Sequence, residues 1–105
     1  MKLNLSVVAI CCLAASIVTP AFAQNAGADT YTAKCAMCHG ADGLGSPVGK
    51  KMGVPSFKNP AVIKSSDAAL IAIIKSGKKP MPAYESKLTD DQIKAVVKYI
   101  RTLEK

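Results

Sequence analysis

The 105-residue sequence contains no tryptophan, one histidine (His39), two phenylalanines and three tyrosines, so aromatic side chains make up only 5% of it. A small domain with so few large rings has little with which to fill a core of its own. A single histidine excludes any centre built from several imidazoles. Acidic residues are scarce as well, seven against fourteen basic, for a net charge of +7. That balance excludes an acidic, cation-collecting surface and points to an acidic protein partner or an anionic surface. A phosphate-cradling loop is also missing: Gly43-Leu44-Gly45 follows no strand pattern, and no Gly-Lys-Ser/Thr comes after it.

What is present begins with a leader. Met1-Lys2 is a short positive start, Leu3 to Val18 is apolar apart from Asn4, Ser6 and Ser16, and Ala21-Phe22-Ala23 is an A-x-A cleavage site. Residues 1–23 are therefore expected to be a secretory signal peptide cleaved before Gln24, leaving 24–105 as one domain. The competing reading is a retained anchor, but Thr19-Pro20 and the small residues after it suit cleavage better than a stop-transfer flank. Removal takes away Cys11 and Cys12, and no stable membrane insertion is then expected. The expected location is the periplasm, where an exported chain meets no nucleic acid.

The two cysteines that remain stand in Cys35-Ala36-Met37-Cys38-His39. This is C-x-x-C-H, the pattern of covalent haem c attachment: two thiols become thioethers and the adjacent imidazole becomes an iron ligand. On one helical turn, side chains three apart share a side, which explains the spacing. Two other readings compete. A redox dithiol would want a βαβ surround, which the sequence does not show, and zinc would have to recruit carboxylates, because no Cys or His follows His39. A structural disulfide over so short a loop would constrain little chain entropy. One covalent haem would also supply the missing core, so the chain without it is expected to fold poorly.

Around the motif, Gly27 to Lys34 reads as a short helix placing Gly27, Tyr31 and Cys35 on one face, with Gly27 allowing close approach of the C-terminal helix. Gly40 to Pro60 holds eight Gly and Pro residues and no period, and reads as a long loop wrapped around the haem. A proline carbonyl in it is expected to accept a hydrogen bond from His39, with Pro47 the candidate and Pro55 the alternative. Ser66 to Ser76 reads as a helix with a serine cap, Gly77 at its stop, and Leu70, Ile71, Ile73 and Ile74 as a broad buried face. Asp90 to Leu103 opens on a capping box, Thr89 to Gln92, and carries the stripe Ile93, Val96, Val97, Ile100 and Leu103. Tyr99 on its flank is placed to meet Gly27 and Tyr31.

Between these helices, Pro80-Met81-Pro82 denies the segment a helix and suits a sulfur donor offered from a loop. Met81 is the candidate second axial ligand, with Met52 its rival. There is no second histidine, and Met37 is held within the motif itself.

From Gly27 to Lys105 the chain resembles the small class I c-type cytochromes of bacteria. The resemblance rests on Gly27-x-x-x-Tyr31-x-x-x-Cys35-x-x-Cys38-His39-Gly40, on Gly77-x-x-x-Met81-Pro82, and on the terminal Tyr99-Ile100-Arg101. It implies an all-α fold of three to four helices around one covalently attached haem, with the terminal helices crossed. It implies His39 and Met81 as axial ligands, and one-electron shuttling by a monomeric carrier rather than an enzyme. The partners would be redox proteins with an acidic docking surface facing Lys50, Lys51, Lys78 and Lys79. A haem-based ligand sensor or haem enzyme domain with displaceable Met81 is the alternative.

Overall fold

The computed structural model describes residues 21–105, with side chains described from Ala26 onward. The expected leader falls outside them except for its last three positions. Six helices follow in order: α1 (Ala21–Lys34), α2 (Ala36–His39), α3 (Pro47–Lys51), α4 (Pro60–Lys64), α5 (Asp67–Ser76) and α6 (Asp90–Leu103). Among the described residues there is no strand, only an isolated bridge between Lys78 and Met81. The all-α expectation holds, while the helix count exceeds the expected three to four.

The excess comes from the stretch expected to be loop. Ser46 caps α3, its hydroxyl accepting from the Gly49 amide at 3.0 Å, and Pro47 occupies the first turn. Asn59 does the same for α4, accepting from the Ala61 amide at 2.9 Å ahead of Pro60. Proline at the start of a helix costs no hydrogen bond, because the first amides have no partner within the helix. These prolines therefore open short helices rather than interrupting a loop. The expected α5 and α6 appear with their caps: the Ser66 hydroxyl accepts from the Ala69 amide at 3.1 Å, and the Thr89–Gln92 capping box is closed in both directions. The helix before the motif starts earlier than expected, at Ala21 rather than Gly27.

α1 and α6 cross in close contact. A Cβ on Gly27 would collide with the Ala95 carbonyl and come within 3.4 Å of the Tyr99 Cβ, so only glycine lets the two backbones approach this far. Beside that crossing, the Tyr31 and Tyr99 rings lie 5.1 Å apart, centroid to centroid, and Tyr31 also meets Phe57 edge-on at 6.2 Å. Tyr31, Phe57, Ile74, Leu88, Ile93, Val96, Val97 and Ile100 form the buried core. Each fully buried aliphatic side chain in it contributes about 1.5–3 kcal/mol relative to exposure. Leu103 of the α6 stripe is only partly buried. Arg101 ties α6 back to the α4–α5 corner through Asp67 Oδ1 at 2.9 Å and the Ser65 and Val62 carbonyls.

α5 departs from its expected role. Of the four residues expected to form its buried face only Ile74 is buried; Leu70 and Ile71 are partly buried against the core, and Leu70 and Ile73 line an open cavity together with Ile74.

Candidate haem site

That cavity has a volume of about 480 Å³, within the range of roughly 300–1,000 Å³ usual for small-molecule and cofactor sites. Cys35, Cys38 and His39 line it, and so do Met81 and the prolines on either side of it. Tertiary folding thus gathers residues 42 positions apart in sequence around one space.

The motif is presented by a break between α1 and α2. In an unbroken helix the Cys38 amide would bond to the Lys34 carbonyl. Here it bonds to Cys35 at 3.2 Å, while His39 keeps the regular bond to Cys35 at 2.9 Å. Three hydroxyls take up carbonyls around this tightened turn. Tyr84 donates to Lys34 at 3.1 Å, Tyr31 to Gly40 at 2.5 Å, and Ser46 to Met37 at 2.6 Å and Cys38 at 3.2 Å. None of the three was singled out as a functional residue from sequence. Ser46-Pro47 carried a readable signal as a cap followed by an N1 proline; the two tyrosine bonds carried none.

His39 stacks on Phe57 at 4.7 Å with 22° between the rings. Burial holds its pKa below the ordinary histidine value, so the imidazole is neutral, the form that donates to a metal. Its Nδ1 is buried and makes no hydrogen bond. The expected bond to Pro47 is therefore absent. Pro47 begins α3 and does not line the cavity, because the S-P cap turns it into the helix start; Pro55 does line it. Cys35 and Cys38 are free thiols, and burial pushes the Cys35 pKa up to about 11, so at neutral pH it is protonated.

Two methionines line the cavity, Met81 and Met52, whereas Met37 is 81% exposed and does not. Met81 packs against the core and is held in a tight turn, its amide bonding to the Lys78 carbonyl at 2.7 Å and its carbonyl to the Lys78 amide at 3.0 Å. Met52 is exposed at the C-terminus of α3. Among the described residues no three His, Cys, Asp or Glu come together as a metal cluster, which leaves the zinc reading without a ligand set. The donors present, two thiols, one neutral imidazole with an orphaned buried nitrogen, and two thioethers around an apolar cavity, fit a covalently held haem.

Comparison with known proteins agrees with this chemistry. Residues 22–100 match a family described as cytochrome C oxidase, cbb3-type, subunit III. Cytochrome c6 of Leptolyngbya boryana is 35% identical over 78 residues, covering 71% of this chain and 86% of that protein. The cytochrome c subunit of a quinone alcohol dehydrogenase of Gluconacetobacter polyoxogenes is 36% identical over 87 residues, but the match spans only 18% of that subunit. Among solved structures, the KustC0563 c-type cytochrome superposes with a TM-score of 0.71 at 32% identity, covering 75% of this chain and 98% of that one.

Proposed function

The chain belongs to the c-type cytochrome family described as cytochrome C oxidase, cbb3-type, subunit III, and from that premise we propose that it is an exported, soluble carrier of single electrons. Haem c, covalently held, is the family's cofactor, and electron transfer is its activity. Cys35 and Cys38 would supply the thioether links, and His39 and Met81 would be the donors to the haem iron. The observation that carries this assignment is that all four line one cavity.

Bound there, the haem supplies a ferric–ferrous couple that takes up and releases one electron. The protein's own residues set the terms. His39 offers a neutral imidazole because burial disfavours its charged form. Met81 offers a neutral thioether, which favours the ferrous state more than a harder donor would. Leu70, Ile73, Ile74 and Ile100 give the cavity an apolar lining, which would disfavour the additional positive charge of the oxidised state. If His39 and Met81 both bound the haem iron, no open position would be left for a substrate, which would favour a carrier over an enzyme. We prefer Met81 to Met52 because Met81 is packed and turn-bound while Met52 is exposed.

Lys50, Lys51, Lys78 and Lys79 are all exposed, and we assign them to steering a redox partner with an acidic face. Among the described residues no helix is long and apolar enough to cross a membrane. Export rests on the leader 1–23, with the periplasm as destination.

The test is a visible to near-infrared spectrum of protein matured in a host able to attach haem. A sulfur-to-iron band in the ferric protein, lost in Met81→Ala and kept in Met52→Ala, supports the carrier. A high-spin ferric spectrum and ready binding of carbon monoxide would assign the protein to ligand sensing instead.

A further inference from the structure

The loop that carries Met81 runs from the end of α5 to Leu88, and its hydrogen bonds are mostly local. Gly77 returns to Ile73 at 2.7 Å, Lys78 and Met81 bond each other, and the Tyr84 amide bonds to Ile74 at 2.9 Å. All of these tie the loop to itself or to α5. Among the described residues, one hydrogen bond links residues 77–84 to the attachment motif's side of the cavity: the Tyr84 hydroxyl to the Lys34 carbonyl, 3.1 Å, across 50 residues of sequence.

Both ends of that bond are unusual. The Lys34 carbonyl is free only because the Cys38 amide has turned to Cys35, the same tightening that shapes the motif. Tyr84 stands three residues after Met81 and itself lines the cavity. Its backbone is fixed at both ends, by its amide to Ile74 and by its carbonyl, which accepts from Lys87 and Leu88 at 3.0 and 2.9 Å. Its ring is covered by the Lys87 ammonium, 5.6 Å from the centroid. Hydroxyl, ring and backbone therefore move with the Met81 loop, while the acceptor moves with Cys35.

We infer that Tyr84 is a positioning residue that straps the Met81 loop to the thiol-bearing end of α1 and so governs how readily the sulfur is displaced from the haem iron. The inference rests on Met81 ligation. It deepens that reading by naming what holds the sulfur in place once the haem is attached. A hydroxyl with a partner on the far side of a binding cavity resists opening of that cavity, because opening breaks the bond before the rest of the fold is disturbed. The ring alone would still pack, so the hydroxyl's part can be isolated by removing one oxygen.

The experiment compares ferric holoprotein with its Tyr84→Phe variant, using added imidazole as the competitor for the sulfur's position. The near-infrared sulfur band reports displacement, and circular dichroism reports thermal unfolding. The expected result is a band in both proteins and an imidazole affinity about threefold to tenfold higher in the variant, the range that loss of one hydrogen bond corresponds to. A lowered thermal midpoint with imidazole affinity within about twofold of the parent marks a tie that is only structural and overturns the strap. A missing sulfur band in the parent overturns Met81 ligation and the strap together, whereas a band present with unchanged affinity overturns the strap alone.

Discussion

The Cys38 carbonyl lies so close to Gly49 that no side chain fits between them: a Cβ built on Gly49 would collide with that oxygen and with the carbonyl carbon behind it. The first turns of α3 thus rest directly on the haem-attachment turn, and the Ser46 hydroxyl, bonded to Met37 and Cys38, pins them there. Close packing leaves little room to relax.

Gly49→Ala follows from this contact. The added methyl forces α3 away from α2, and overpacking of this kind costs about 1–3 kcal/mol, occasionally more. The variant is expected to show a lower thermal midpoint and a lower yield of covalently loaded protein from the same host. Absorbance per polypeptide after acid-acetone extraction measures the second. A yield and midpoint equal to the parent's would show that α3 can shift without disturbing the motif.

Tyr31 is fully buried and donates to the Gly40 carbonyl at 2.5 Å. Its pKa is raised, first by burial and then by the negative charge that Cys35 carries when ionised. The second cause disappears once Cys35 is a thioether. For an acid whose folded pKa lies above its unfolded one, stability is fully present below the unfolded value and falls as pH rises beyond it, because the unfolded chain releases the proton first. Tyr31→Phe is expected to lose about 1 kcal/mol near neutral pH through the missing hydrogen bond. It is also expected to show a shallower fall in thermal midpoint between about pH 9 and about pH 11 than the parent. Equal slopes in the two proteins over that interval would remove Tyr31 as the cause.

Arg101 joins three elements at once, bonding Asp67 Oδ1, Glu104 Oε1 at 2.7 Å, and the Ser65 and Val62 carbonyls. Lysine has a single charged nitrogen and cannot span these acceptors with a planar fork. Arg101→Lys is therefore expected to lower the thermal midpoint by about 4–8 °C, the shift that corresponds to roughly 1 kcal/mol in a domain of this size. Differential scanning calorimetry checks it, and a shift of under a degree would mean that solvent already satisfies these carbonyls.

Removing the tethers tests how much the cofactor contributes to the fold. The cavity occupies about 480 Å³, and at about 24 cal/mol per Å³ leaving even a quarter of that space empty would cost roughly 3 kcal/mol. A Cys35→Ala/Cys38→Ala double variant produced without haem is expected to lose most of its cooperative thermal transition and part of its far-ultraviolet helical signal. A sharp transition matching the holoprotein's would show that the polypeptide core suffices alone.

Much of this arrangement was legible beforehand because it is local. The capping box at Thr89, the serine cap before Asp67 and the α6 stripe depend on residues within a turn or two of one another, and they appear as expected. Gly27 and Tyr99 also meet as the spacing implied. The stretch from Gly40 to Pro60 looks like loop because glycine and proline usually break helices, whereas Ser46-Pro47 and Asn59-Pro60 are helix starts. Pro47 lost its expected role for the same reason.

By itself, the sequence determined the chemistry available: two thiols and an imidazole at C-x-x-C-H spacing, few other donors, and an apolar complement too poor in rings to close on itself. Those follow from side-chain identity and from periods of three and four, which need no knowledge of the rest of the chain. Only the tertiary structure decided that Met81 and Met52 line the cavity while Met37 does not. It alone also showed that Leu70, Ile73 and Ile74 of α5 line that cavity, and that Tyr84 reaches Lys34 across 50 residues. The freed Lys34 carbonyl exists because of a one-residue change in the bonding of Cys38, and the hydroxyl that meets it comes from a different part of the chain. No pattern of neighbouring residues carries that information, since it depends on how distant segments are brought together in space.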